Sequence, residues 1–286
     1  MKALITTDGS PESHNSIERY CRVRPHGITQ HVVLTIDEFQ AYGIIDSVDK
    51  AELDRIQHEH SLEILGKARA ILDAAGIEAE YLERAGQSAE TILQCAEELR
   101  ADVIVIGARG ASAFTRVLLG STSDAVVSHA KMSVWVVRPG AEQHLDEPLH
   151  VTVAYDGSDA SKYAIDFLRR MKFPSTAKVS LVSLVRRPDN LPDEIVYDSK
   201  QLEVSRKELE GFQADFGSDG PQVEIYVGET RHISHGLVEF AGKHHSSLVM
   251  VGDKGRSAIA RFLMGSISRS VLHHAPCSVL VVKKPA

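Results

Sequence analysis

The sequence predicts an α/β fold built twice, each copy a parallel sheet with helices on both faces. Three observations carry this. First, a spaced glycine pattern occurs twice: Gly107-Ala-Arg-Gly110 then Gly120-Ser121-Thr122, and Gly252-Asp-Lys-Gly255 then Gly265-Ser266, with every matched glycine offset by 145 residues (252 − 107, 255 − 110, 265 − 120). Second, other segments repeat in the same order: Leu4 to Ser10 with Val151 to Ser158, Ala85-Gly86-Gln87 with Val227-Gly228-Glu229, and Ser133 to Val137 with Ser278 to Val282. Whole domains are therefore repeated, not a short solenoid unit. Third, short apolar runs alternate with longer segments of helical periodicity, and strands fed by intervening helices form parallel sheets.

Taken in order, the first repeat has strands near 2–7 and 31–37, the helix between them entered through Ser10-Pro11 as cap and first-turn residues. A helix over 50–75 carries Leu53, Ile56, Leu62, Leu65, Ala68 and Leu72 at spacings that place an apolar stripe. A strand near 77–84, a helix near 88–99, a strand at 102–107, a helix from 121 and a strand at 133–138 complete the copy. The second copy repeats this from 150, with Ser158-Asp159 opening its first helix. Residues 1–139 and 149–286 read as the two domains, and the polar, proline-bearing stretch 140–148 as their linker. Segments 38–49 and 187–198 follow the second strand of each repeat, at the sheet edge where open α/β folds bind ligands, and are expected to cover a ligand or a partner.

With 286 residues, each half is long enough to bury a core without staples. A hydrophobic share of 43% and a charged share of 25% are ordinary for a globular protein. The longest apolar runs are four to six residues, too short to span a bilayer, and the chain opens directly on a strand-like run, so a cytoplasmic location is expected. Cys21, Cys95 and Cys277 show no metal or redox spacing. The net charge of −7 and the lack of a basic patch argue against a nucleic-acid partner, and an anionic ligand must be held by local geometry.

That geometry is predicted in the loop after the fourth strand. Gly107 and Gly110 can take positive φ and let a ligand approach bare backbone, and Gly120-Ser121-Thr122-Ser123 opens a helix whose amides, hydroxyls and dipole favour an anion. The arm between carries Arg109 and Arg116, and its counterpart carries Lys254, Arg256 and Arg261. Asp8 and Asp156 end the first strands, where a carboxylate can accept hydrogen bonds from ribose hydroxyls or an adenine amine, or can cap the next helix. The adjacent pairs His244-His245 and His273-His274 diverge by about 100° on a helix and do not chelate a metal on their own. His232-Ile-Ser-His235 lacks the glycine of the nucleotidyl transferase His-x-Gly-His motif, and there is no P-loop.

Asp-Gly-Ser after the first strand, the Gly-x2-Gly-x9-Gly-Ser loop and the closing His273-His274-Ala275-Pro276-Cys277-Ser278-Val279-Leu280-Val281-Val282 resemble the universal stress protein family, in tandem form, over nearly the whole chain. The resemblance implies two Rossmann-like domains with open five-stranded sheets, of the branch that binds ATP. It implies phosphate and ribose contacts at Gly107, Ala108, Arg109, Gly110, Ala113, Gly120, Ser121, Thr122 and Ser123, and at Gly252, Asp253, Lys254, Gly255, Ala258, Gly265, Ser266, Ile267 and Ser268. The adenine would lie against Thr6, Asp8 and Ile36 in one copy and Ala154, Asp156 and Leu184 in the other. The sequence departs from the family pattern at Thr35 and Ser183, where a histidine is frequent, and at Ala111 and Lys131-Met132-Ser133 in the first copy. The second site, closer to the pattern, is expected to bind at least as tightly.

The function expected from this is an ATP-binding regulatory protein of the stress response, with magnesium accompanying the triphosphate and a downstream protein reading the nucleotide state. The alternatives are a slow ATPase or nucleotidyl transferase, for which no base is evident at the phosphate end, and an interaction module with vestigial sites. Val134 to Val137 and Val279 to Val282 would be apolar edge strands, which invite aggregation if left open. The family pairs this strand across a dimer. The expectation is antiparallel pairing of the two copies within one chain, compatible with a further homodimer.

Overall fold

The structure is a computed structural model that describes residues 1–38, 50–109, 119–138, 148–188, 200–217, 219–255 and 264–284. Most of the linker 140–148, most of the loops 38–49 and 187–198, and the site candidates Gly110, Ala113 and Ala258 lie outside the described residues, as do Ala111, Arg116, Arg256 and Arg261. The chain divides into two compact units, Met1–Arg22 with Ile28–Val137, and Val23–Gly27 with Arg138–Ala286.

In the first unit, β1 (Lys2–Thr7), α1 (Pro11–Val23), β2 (Gln30–Asp37), α2 (Lys50–Ala74), β3 (Glu80–Ala85), α3 (Ser88–Glu98), β4 (Val103–Gly107), α4 (Ser121–His129) and β5 (Ser133–Val137) alternate as expected. The strands stand in the order β3-β2-β1-β4-β5, and every pairing is parallel. Ala3, Leu4, Ile5, Val103, Ile104 and Val105 are all at most 2% exposed, the signature of central strands covered on both faces. The edge strand β3, by contrast, is half-buried to exposed along its length.

The second unit repeats the plan: β6 (His150–Ala154), α5 (Asp159–Met171), β7 (Lys178–Arg186), α6 (Lys200–Ala214), β8 (Gln222–Thr230), α7 (Ile233–Lys243), β9 (Leu248–Gly252), α8 (Ser266–His274) and β10 (Ser278–Val282). Its strands stand in the order β10-β9-β6-β7-β8, again all parallel. In each unit the first strand has the second strand on one side and the fourth on the other. That reversal of winding direction opens a crevice at the carboxyl edge, between the Asp-Gly-Ser turn and the glycine loop.

The stripe expected on α2 holds only over its second half. Leu65, Ala68 and Leu72 are buried, but Ile56 is 50% and Leu62 53% exposed. A helix of 25 residues is roughly 38 Å long, whereas β1 with its six residues spans roughly 20 Å. The first turns of α2 therefore overhang the sheet, at the end where the crevice lies. The strand expected near 77–84 starts three residues later, at Glu80. Ile77 is instead a fully buried plug whose amide donates to the Leu72 carbonyl, closing the end of α2 through Gly76 at φ +65°.

Candidate functional site

In the first unit the crevice is a cleft of about 590 Å³. Thr6, Asp8, Ile36, Gly107, Arg109, Gly120, Ser121, Thr122 and Ser123 all line it, so the two sequence motifs, about a hundred residues apart in the chain, converge on one space. The overhanging half of α2 forms a further wall with Ile56, Gln57, His60, Ser61 and Ile64. These five were not nominated from the sequence. The only signal available was the excess length of the helix over its strands.

The glycines do not all serve the purpose expected of them. Gly107 was expected to use positive φ, but the left-handed glycines among the described residues are Gly9, Gly76, Gly86 and Gly157. Gly107 is needed for space instead: a Cβ there would stand 3.0 Å from Ser16 Oγ of α1 and 3.2 Å from the Arg109 carbonyl. Its counterpart Gly252 is tighter, with a Cβ falling 2.9 Å from the carbonyl carbon and Cβ of Ala160 on α5. This first glycine lets the first helix close onto the fourth strand.

Gly120 and Gly265 behave differently. A Cβ on Gly120 would meet nothing nearer than the Ala108 carbonyl at 3.5 Å, and one on Gly265 nothing nearer than the Asp253 carbonyl and the Gly255 amide at 3.5 Å. The fold tolerates a side chain at both. Both are also N-cap residues, of α4 and α8, with φ near −60° and no capping side chain. The N-cap residue itself therefore supplies no side-chain acceptor to the first-turn amides of these helices. Gly120 N donates to the Ala108 carbonyl and Gly265 N to the Asp253 carbonyl, both at 2.8 Å, which pins each helix start beside its loop. Ala108 is 3% exposed and sits behind that loop, its amide donating to the Val137 carbonyl.

The hydroxyls divide in the same way. Ser123 Oγ donates to the Gly107 carbonyl and Ser268 Oγ to the Gly252 carbonyl, each at 2.7 Å. A phosphate oxygen only accepts hydrogen bonds, so these two protons are committed to tying helix to strand, contrary to the expectation that they face an anion. Ser121 and Ser266 are exposed, Thr122 is half-buried and Ile267 is 37% exposed. The last cannot supply a hydroxyl where the first copy has one.

Asp8 and Asp156 brace the turns after the first strands, while the neighbouring serines cap the helices. Ser10 Oγ and Ser158 Oγ accept from the amides of Ser13 and Ser161, capping α1 and α5. Yet Asp8 Oδ1 also takes the Ser10 amide at 3.0 Å and the Ser10 hydroxyl at 2.6 Å, an Asx-type turn that lets the chain reverse at Gly9. Asp156 Oδ1 accepts the Ser158 amide at 3.0 Å, and its Oδ2 lies 3.0 Å from where a Cβ on Gly255 would be. In the second unit the strand-end carboxylate therefore touches the glycine loop directly. Ala154 is half-buried opposite Val182, and Leu184 packs Cδ1 against Gly236 of α7. Leu184 would meet a ligand through its backbone. Lys254 Nζ stands 3.7 Å from Asp253 Oδ2, a carboxylate in the glycine loop that was not considered as a base from the sequence.

The two copies differ in charge. The first cleft includes Asp37, whose carboxyl is held above its usual pKa range by burial and by nearby Glu83, and Glu38, whose Oε1 accepts the Ser88 amide at the start of α3. The matching residues of the second copy are Val185 and Arg186. In the first turn of the phosphate-end helix, Asp124 of α4 corresponds to Arg269 of α8. Lys283, beyond β10, has its pKa lowered to about 8 by burial, partly offset by Asp253. The histidine pairs have local partners: His244 Nδ1 and His274 Nδ1 each bond the carbonyl four residues earlier.

A doubly wound parallel sheet, repeated in tandem, with a cleft at the reversal of winding in the first unit, defines a doubly wound α/β protein. The sequence model of the universal stress protein family matches residues 1–138 and again 149–283. The chain belongs to the universal stress protein family, as a tandem member. It is 28% identical over 262 residues to a universal stress protein of Mycolicibacterium smegmatis, covering 91% of this chain and 82% of that one. Its fold is similar to the crystal structure of a universal stress protein from Archaeoglobus fulgidus, with a TM-score of 0.72, 22% identity and coverage of 99% and 98%.

Proposed function

We propose that the protein binds ATP in both clefts and serves as a nucleotide-responsive regulator of the stress response. The observation that carries this reading is the pair Gly120 and Gly265. Each heads a helix as an N-cap without a capping side chain of its own, and each could hold a Cβ at ordinary contact distance. A glycine that the fold does not require, placed where backbone amides gather, fits close approach of an anion. The carboxylates of Asp8 and Asp156, at the ends of the first strands, suit the hydroxyls of a sugar or an amine on a base. Magnesium would arrive with the triphosphate, held mostly by phosphate oxygens and water, as this ion commonly is beside phosphates.

The second cleft is the tighter of the two in this reading, because Arg269 and Arg186 replace Asp124 and Glu38 around it. Among the described residues no helix is long and apolar enough to cross a membrane. The proposed setting is the cytoplasm, with a downstream protein, and a second copy of the chain, as partners. The nucleotide drives a switch only if it binds two states with different affinity. The test is isothermal calorimetry of ATP with the full chain, combined with mass spectrometry of small molecules released on denaturation. Two sites, one lost in Gly120→Val and the other in Gly265→Val, are expected. A chain that releases no nucleotide and binds none at millimolar ATP would overturn the reading.

A further inference from the structure

The two Asp-Gly-Ser turns are roofed by different chemistry. Helices α2 and α6 align with an offset of 144, since Ser61 and Ser205, and Leu65 and Leu209, are buried in step (205 − 61, 209 − 65). The residue over the turn is then Ile64 in the first copy and Glu208 in the second (208 − 64). The glycine contacts agree: a Cβ on Gly9 would stand 2.6 Å from Ile64 Cγ1, and one on Gly157 3.8 Å from Glu208 Oε2. Ile64 lines the first cleft beside Asp8, and by this alignment Glu208 takes the equivalent place over the Asp156-Gly157-Ser158 turn.

Glu208 is held there. Tyr155 Oη donates to its Oε2 at 2.8 Å, and Tyr155 itself is 3% exposed and packed edge-on against Phe212. The other oxygen stands 3.5 Å from Lys162 Nζ, with both side chains about 40% exposed (42% and 38%), so this oxygen is within reach of a solute. The first copy has no such set: Thr7, His14 and Ile64 occupy the positions of Tyr155, Lys162 and Glu208. A carboxylate fixed by a buried phenol accepts hydrogen bonds in a set direction, whereas an isoleucine offers only contact.

Resting on the reading that both clefts take ATP, we propose that Glu208 makes the second cleft selective for a ligand that donates hydrogen bonds at its sugar–base end, while Ile64 leaves the first cleft indifferent to that group. The donor is the ribose diol or the exocyclic amine of the base. Calorimetry on the full chain with ATP, 2′,3′-dideoxy-ATP and inosine triphosphate separates these sources. Gly120→Val and Gly265→Val backgrounds assign each site. At the second site one of the two analogues is expected to bind about tenfold or more weaker than ATP, the worth of one hydrogen bond to a charged group. At the first site the two should differ from ATP by less than about threefold.

Glu208→Ile should erase the discrimination at the second site, Glu208→Gln should reduce it while keeping an acceptor for Tyr155, and Ile64→Glu should introduce it at the first. Tyr155→Phe, which frees Glu208 to move, should weaken discrimination without abolishing it. Analogue ratios at the second site that stay unchanged in both Glu208 variants, with ATP still bound, overturn this inference alone. Failure of the unaltered chain to bind ATP at all overturns it together with the reading beneath it.

Discussion

Gly252 and Gly265 stand thirteen residues apart in one motif, and the structure assigns them opposite sensitivities. In Gly252→Ala the new methyl would fall 2.9 Å from both the carbonyl carbon and Cβ of Ala160, and 3.1 Å from its carbonyl oxygen. Carbon atoms settle near 3.5–4.0 Å, and two of these three partners are helix backbone that cannot rotate away. Helix α5 must therefore shift off β9, at a cost of about 1–3 kcal/mol. For a unit of this size each kcal/mol lowers the melting temperature by roughly 3–5 °C, so a loss of about 3–15 °C is expected. In Gly265→Ala the nearest atoms are at 3.5 Å, an ordinary contact. Only the weaker N-cap preference of alanine remains, about 0.5–1 kcal/mol. ATP affinity of the second site should nevertheless fall about tenfold or more, because the methyl occupies the place of approach.

Differential scanning calorimetry and ATP titration of both variants read the two effects. Gly252→Ala should destabilise clearly, and Gly265→Ala should melt nearly as the unaltered chain but bind ATP poorly. The reasoning is refuted if Gly265→Ala is the less stable of the two, or if it binds ATP normally. The first copy supplies an internal control. Gly107→Ala should cost less than Gly252→Ala, because its closest contact is the Ser16 hydroxyl, a side-chain end that can rotate, at 3.0 Å.

Three further outcomes are expected. His150 is buried at the start of β6, bonded to the His244 carbonyl and to Ser180 Oγ, and burial holds its pKa below the usual value of 6.5. The unfolded chain thus takes up the proton first on acidification. This contribution to stability is full above about pH 6.5 and lost as pH falls below it; urea unfolding at pH 7.5 and 5.5 should show a loss that His150→Gln reduces. Lys283, with its pKa lowered to about 8 by burial, should be acylated ahead of the exposed lysines by a limiting amine reagent at pH 8, as peptide mass spectrometry would reveal. Arg187 Nη1 and Glu229 Oε2 pair at 3.2 Å with side chains only 12% and 17% exposed. Removing one partner by Glu229→Ala deprives a largely buried guanidinium of a carboxylate and should cost on the order of 1–2 kcal/mol in thermal or urea unfolding.

Much of the fold was legible because the signals were local and doubled. Val103 to Ile106 cannot be other than a strand covered on both faces, and a second copy at a constant offset removes most ambiguity about where elements start. The cleft was less legible. The glycines stood out as a set, but the spacing does not distinguish Gly107, which admits a helix, from Gly120, which leaves an opening. Ser123 was grouped with Ser121 although its proton goes to the Gly107 carbonyl. Ile64 and Glu208 carry no motif of any kind. They matter only because their helices bring them above the same turn in each copy.

Local pattern alone thus settled the doubling, the alternation of strands and helices and the parallel sheets. Each depends on periodicity and spacing along the chain, which neighbours in sequence enforce. The partition of like residues into those that hold the fold and those that face the cleft was decided only in three dimensions. It rests on differences of a few tenths of an ångström: a Cβ on Gly252 would stand 2.9 Å from Ala160, whereas one on Gly265 would stand 3.5 Å from Asp253. Van der Waals repulsion rises so steeply over that interval that packing forbids a Cβ at one glycine and tolerates it at the other.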